Sequence, residues 1–70
     1  MNYSRTFYKQ ELAMLYFPDD NPKVARDKLT RWINRCKPLS QAMAETFYRT
    51  TSKSYTPRQV LLIIEYLGEP

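Results

Sequence analysis

A single glycine in seventy residues, Gly68, is the feature that most limits what this chain can become. β-rich folds need many tight turns, and tight turns draw on glycine for positive φ. The chain is therefore expected to be helical, with its five prolines marking where helices start and stop. Seventy residues make one domain, 1–70, and a domain of that size buries only about 60% of the surface its unfolded chain exposes. One cysteine cannot form an internal disulfide, and with no histidine there is no credible zinc set. Stability is left to packing or oligomerisation, helped by six tyrosines and one tryptophan.

The longest predicted helix is 21–37, NPKVARDKLTRWINRCK. Asp20 or Asn21 is the N-cap, and Pro22 fits the first helical position, where a missing N–H costs nothing. Ala25, Leu29, Trp32, Ile33 and Cys36 fall on one face at about 100° per residue, the spacing of a core-facing helix. Pro38 is expected to end the run, since the residue before a proline is pushed out of the helical region. The remaining faces are cationic. Between residues 22 and 37 lie six of the eleven basic residues and one of the seven acids, a balance of +5 against −1 for the rest of the chain.

The other segments follow from periodicity and capping. Residues 6–8 suit a short extended arm packing one ring on the core. A first helix is predicted over 9–16, with Leu12, Leu15 and Tyr16 on one face and Glu11 in the first turn, where the helix dipole favours an acid. Tyr8 is a poor N-cap, so fraying is expected there. Phe17-Pro18-Asp19-Asp20 is a turn whose aspartates are read as capping groups rather than metal ligands. A short third helix is predicted over 39–47, with Leu39, Met43 and Phe47 inward. Residues 48–55, YRTTSKSY, suit either a two-stranded ribbon or a basic loop. Thr56-Pro57-Arg58-Gln59 is a capping box opening a last helix. There Val60, Leu61, Ile63, Ile64 and Leu67 form the stripe, Leu62 and Tyr66 lie off it, and Gly68 supplies the stop.

Two resemblances follow from these residues. Glu11-Leu12-Ala13-x-Leu15-Tyr16 and Leu29-Thr30-Arg31-Trp32-Ile33 resemble the paired helices of an excisionase- or MerR-type helix-turn-helix. Arg49 and Tyr55-Thr56-Pro57-Arg58-Gln59-Val60 resemble its wing and following helix. The connection 17–22 is longer than that family's usual turn. More of the chain is similar to a family of short Bacteroidales proteins classed as a domain of unknown function, the four-two-four-eight family. The segments ELAMLYFPD, RWINRC and YTPRQVxLIIEYLGEP carry that likeness, with Gln10 where the family usually has serine. This resemblance implies a small bacterial protein and no stated activity.

The expected fold is all-α: a four-helix, helix-turn-helix-like domain with a wing-like basic loop or short hairpin before the last helix. The expected function is a small DNA-binding accessory or regulatory protein. Phosphate neutralisation by Lys and Arg dominates such affinity. Lys23, Arg26, Lys28, Arg35 and Lys37 are the expected phosphate contacts, Arg31 and Asn34 the base readers, Thr30 a neighbour on the same face, and Arg49 and Lys53 the wing. Asp27, in the middle of that face, would repel phosphate unless it pairs with Arg31 at i+4 or with Lys23 at i−4. The plain alternative is a solvated face with intrahelical ion pairs. A protein-interaction adaptor presenting tyrosines is the second function class. An enzyme is not expected: there is no His, no glycine-rich loop and no clustered carboxylates, and Ser52-Lys53-Ser54 reads as turn chemistry. No metal or cofactor is expected. Cys36 reads as a small hydrophobe and Met43 as core filler. With no apolar run of about 20 residues and no leader-like N-terminus, a cytoplasmic setting is expected, with DNA, and a homodimer or protein partner, as the associations.

Overall fold

Asn21 fixes where the second helix begins, because its side-chain oxygen accepts the Val24 N–H at 3.0 Å and Pro22 follows at the first helical position. In the computed structural model, which describes residues 2–49 and 52–70, that helix is α2, Pro22–Arg35. Around it the chain runs β1 (Phe7–Tyr8), α1 (Lys9–Tyr16), α2, α3 (Lys37–Glu45), β2 (Ser54–Tyr55) and α4 (Pro57–Leu67). The fold is predominantly helical, with one two-stranded antiparallel sheet pairing Phe7 with Tyr55 and Tyr8 with Ser54. α1 packs on α2, α2 on α3, and α3 on α4, while β2 leans on both α1 and α4.

The core draws on every element. Phe7, Leu12, Ala13, Ala25, Leu29, Leu39, Met43, Tyr55, Val60 and Ile63 are fully buried, and Ile33 nearly so. Cys36 packs partly buried against this core as a free thiol. Gln59 does more than cap. Its N–H donates to Thr56 Oγ1 at 3.2 Å, its Oε1 accepts the Thr56 N–H at 2.9 Å, and its Nε2 donates to Thr46 Oγ1 at 2.8 Å. Thr46 in turn donates to the Met43 carbonyl at 2.6 Å, so one buried amide ties the end of α3 to the start of α4. At the far end of α4, Gly68 adopts φ +86°. Its carbonyl accepts the Tyr16 hydroxyl at 2.5 Å, fastening α4 to α1.

Several expectations are corrected. The long helix ends at Arg35 rather than residue 37, with Cys36 extended, and α3 starts at once at Lys37. Pro38 therefore opens α3, where its missing N–H has no helical partner to lose. Trp32 is not core: it is 41% exposed and stands edge-on to Phe17 at 4.8 Å and to Tyr16 at 6.5 Å, extending the packing at the rim. Phe47 lies beyond the end of α3, 88% exposed, with φ +60°. Leu61 lies on the outer side of α4 rather than in the core stripe. Tyr8 is a weak side-chain cap, but the helix start is secured otherwise: the Glu11 carboxylate accepts the Tyr8 N–H at 3.3 Å, and the Lys9 N–H donates to the Lys53 carbonyl at 2.9 Å. Of the two readings of 48–55, ribbon or loop, the described residues form no ribbon among themselves. Ser54–Tyr55 pairs instead with the N-terminal arm, and Thr50 and Thr51 lie outside the described residues.

Phe47 holds a left-handed backbone that costs an L-residue about 1–2 kcal/mol, and its exposed ring repays little of that. Phe47→Gly is expected to raise stability by about 1 kcal/mol, a gain of about 4–8 °C in melting temperature for a domain of this size. Calorimetry showing a lower melting temperature would mean the ring makes a stabilising contact. A second outcome concerns alkali. Burial, then the nearby Tyr3 and Glu69 charges, push the Tyr16 phenol up to about 12 from an ordinary value near 10. A raised folded-state value means the contribution is intact below pH 10 and lost as pH rises through about 12. Urea midpoints should therefore fall between pH 10 and 12, and Tyr16→Phe should show a shallower fall.

Candidate nucleic-acid interface

One residue in every four along α2 goes fully inward, which leaves most of its circumference to solvent. Ala25, Leu29 and Ile33 are buried, and Lys23, Arg26, Asp27, Arg31, Asn34 and Arg35 are exposed, as is Lys37 at the start of α3. Among the described residues the ion pairs are Arg5–Glu11 at 2.7 Å and Lys28–Asp20 at 2.6 Å. Asp27 pairs with neither Arg31 nor Lys23; of the two candidate caps before α2, Asn21 is the one used, and Asp20 instead neutralises Lys28. The exposed cations of α2 are thus left to solvent, apart from Lys28.

The structure divides the expected site residues between two flanks of α2. On one flank Arg26, Asp27 and Thr30 meet Lys9, Tyr48, Ser52 and Lys53 around a cleft of about 390 Å³. Arg26 and Lys53 also border a second cleft of about 350 Å³, whose other walls are Tyr8, Gln10, Glu11 and Met14. The Arg26–Lys53 pair is therefore a cationic ridge between two hollows. On the other flank Lys28, Arg31 and Arg35 rim a shallow depression against Phe17 and Trp32. Lys23, Asn34, Lys37 and Arg49 are exposed along the same outer surface or near it, without converging on either cleft.

Lys9 is the residue that sequence reasoning missed. It is almost wholly buried, and its ammonium donates to the Arg49 carbonyl at 3.0 Å and to the Tyr48 hydroxyl at 3.4 Å. It also lies 4.6 Å from the centre of the Tyr48 ring and 5.5 Å from that of Tyr55, within cation–π reach. Burial, followed by the Arg26 charge, holds its pKa below the usual lysine range. The same burial raises the Tyr48 and Tyr55 phenols. Tyr55 is the extreme case, its buried hydroxyl having no hydrogen-bond partner among the described residues. The signal in the sequence was slight: a lysine immediately after two aromatic residues, with Tyr48 and Tyr55 far downstream.

Chemically, the larger cleft offers three cations, three hydroxyls and one carboxylate on a concave surface. That composition suits an anion with several acceptor oxygens. Among the described residues no group of three or more His, Cys, Asp or Glu side chains could hold a metal ion. No helix among them is long and apolar enough to cross a membrane.

The sequence model of the family described as "Domain of unknown function (DUF4248)" matches residues 3–70. That match supports the likeness to the unknown-function family and does not extend to the excisionase and MerR kind. No curated protein matches, and no solved structure matches.

If Lys9 holds Tyr48 and Arg49 against α1, removing its ammonium frees the Tyr48 hydroxyl and leaves the Arg49 carbonyl with the Ser52 N–H at 3.2 Å as its donor among the described residues. Hydrogen bonds to charged groups are worth about 1.5–3 kcal/mol, and the cost of burying the ammonium beside Arg26 offsets part of that, so Lys9→Met should destabilise in urea by less than that figure. An unchanged midpoint would show that the ammonium does not fasten this segment.

Proposed function

We propose that this chain, which belongs to the DUF4248 family, is a small DNA-binding accessory or regulatory module that docks on the phosphate backbone through the outer surface of α2 and the 48–53 segment. The observation that carries the reading is the convergence of Arg26 and Thr30 from α2 with Lys53 and Ser52 from a segment more than twenty residues away, over a buried ammonium. A face that merely kept the protein soluble would need no such meeting of elements, and its charges would be paired along the helix. Here, among the described residues, only Lys28 of the α2 cations forms an ion pair.

In this reading a phosphate sits between Arg26 and Lys53, with the Thr30 hydroxyl as a further donor; the Ser52 hydroxyl, which donates to the Ser54 carbonyl at 3.1 Å, joins only by turning away from it. Lys23, Arg35 and Lys37 contribute at longer range, and Arg49 borders the same segment. Arg31 and Asn34, on the outermost line of α2, are the side chains able to reach base edges. Lys28 is the weakest of the proposed contacts, since Asp20 already neutralises it. Asp27 works against phosphate at the centre of the face, and its presence limits how closely a backbone can approach there. No catalytic step is assigned to any of these residues. The contact of α1 with α2 supports treating them as the helix-turn-helix-like pair of the module.

The alternative, a protein-interaction adaptor, has its own support at the other flank. Trp32 and Phe17 present aromatic edges beside Lys28, Arg31 and Arg35, a combination that fits an acidic segment carrying an apolar side chain. The tyrosines give it less: Tyr55 is buried, Tyr3, Tyr16 and Tyr48 are partly so, and Tyr8 and Tyr66 remain exposed.

Fluorescence anisotropy with random-sequence duplex tests the reading. At about 50 mM salt binding is expected in the range of about 10⁻⁴–10⁻⁶ M or tighter, weakening linearly in log–log form as salt rises. Replacing both Arg26 and Lys53 by alanine should lower the magnitude of that slope by about 2. No binding at about 50 mM salt, or an unchanged slope in the folded double variant, would overturn it.

A further inference from the structure

The outward side of α4 carries a pattern of four residues of which only Leu62 also packs against the core. Arg58, Leu61, Leu62 and Glu65 are spaced i, i+3, i+4, i+7, so they share one helical face. They line one shallow depression together. Val60, Ile63 and Leu67 lie on the opposite side, toward the core. Leu61 is 47% exposed, and Leu62 is partly exposed. Arg58 and Glu65 are exposed, and neither forms an ion pair among the described residues. At about 1.5 Å rise per residue they stand about 10 Å apart along their own helix, too far to neutralise each other.

We infer that this face is a homodimer contact, in which α4 of one copy lies antiparallel against α4 of another across a twofold axis passing between Leu61 and Leu62. The arrangement follows from the order of the four side chains. Such an axis sets Leu61 opposite the partner's Leu62 and Arg58 opposite the partner's Glu65, and symmetry repeats both contacts. The apolar pair is central, and a salt bridge closes each end. A parallel pairing would bring Arg58 against the partner's Arg58 and Glu65 against the partner's Glu65, which charge repulsion disfavours. The face is thus complementary to itself in one orientation, the condition for a closed twofold dimer. An unrelated acidic or basic partner would match only one end.

Two helical turns make a small interface beside the ~800 Å² per partner of a standard complex. The dimer is accordingly weak and forms in a concentration-dependent way. It stands independently of any nucleic-acid role, since α4 contributes none of the residues around the Arg26–Lys53 clefts.

Sedimentation equilibrium between about 10 μM and about 1 mM spans the affinity expected of such a surface. A monomer–dimer equilibrium is expected there. Arg58→Glu alone, or Glu65→Arg alone, places like charges opposite each other twice and should weaken association by about tenfold or more. The double variant Arg58→Glu with Glu65→Arg restores the pairing with its signs exchanged and should return the dimer. Leu61→Lys should abolish it. Circular dichroism establishes that each variant is folded, which these exposed positions permit. A monomer throughout the range overturns the inference. So does a dimer indifferent to the single reversals, or a folded double variant that fails to recover.

Discussion

The pairing of Phe7 with Tyr55 is the constraint on which the rest of the structure depends. It is two residues long on each side, far too short to stand alone as a sheet. Closing a loop of about 48 residues costs on the order of 3 kcal/mol even before the constant part of that cost. One two-residue ladder does not offset that. Burial of the Phe7 ring, worth about 1.5–3 kcal/mol, offsets much of it, and the buried Tyr55 ring adds its apolar area less the cost of its unpaired hydroxyl. Arg5 stacks its guanidinium 3.7 Å from the centre of the Phe7 ring while pairing with Glu11, so the arm is held on its outer side as well. The consequence is positional. Tyr55 in place fixes Ser54, and the Lys9 N–H fixes the Lys53 carbonyl. Only then does the Lys53 side chain have a defined station beside Arg26.

α2 reconciles two demands on fourteen residues. Its buried line, Ala25, Leu29 and Ile33, is narrow, with a small residue at one end that lets α1 approach closely. That narrow line leaves most of the circumference for charge. Arg31 and Arg35 are like charges four residues apart, a spacing that costs a few tenths of a kcal/mol. Asp27 does not relieve them. Such a helix would be a poor one in isolation. Its stability comes from Asn21 and Pro22 at the start, the Asp20–Lys28 bridge, and the burial of its narrow side.

How much of this was readable from the sequence depends on how local each determinant is. The start of α4 was readable because Thr56, Pro57 and Gln59 act within four residues, and so was the cap at Asn21. Pro38 was ambiguous because one residue satisfies two rules: it disfavours helix before itself and favours helix after itself. With only Cys36 between α2 and α3, both apply at once. Trp32 fits the apolar period of α2, but period alone cannot say where the stripe ends, and Phe17 and Tyr16 take the indole at the edge. Phe47 likewise fits the period of α3, yet the helix stops at Glu45 and the chain turns through a left-handed residue. The extended arm at 6–8 with one ring on the core was readable, but its pairing with Tyr55 had no local signature. The paired halves are two residues each, at distant points of the chain, and only burial of both rings joins them. For the candidate site, the cations of α2 and Lys53 could be listed from composition. Which of them would meet could not, because their meeting depends on that strand pair.

The position of Lys9 links the fold to the proposed anion site. Burying an ammonium disfavours its charged form, and the lowered pKa reports that cost. Two tyrosine rings and a backbone carbonyl offset part of it. The Arg26 charge nearby adds to it. An anion in the cleft between Arg26, Thr30, Ser52 and Lys53 would reverse the balance, because a negative charge close to Lys9 and Arg26 favours both charged forms. The free protein then holds unfavourable electrostatic energy that an anionic ligand relieves. This is the arrangement expected where a surface is kept for binding rather than for stability. The same reasoning separates the two flanks of α2: at Lys28, Asp20 has already supplied the counter-charge, whereas at the Arg26–Lys53 ridge no ion pair among the described residues does.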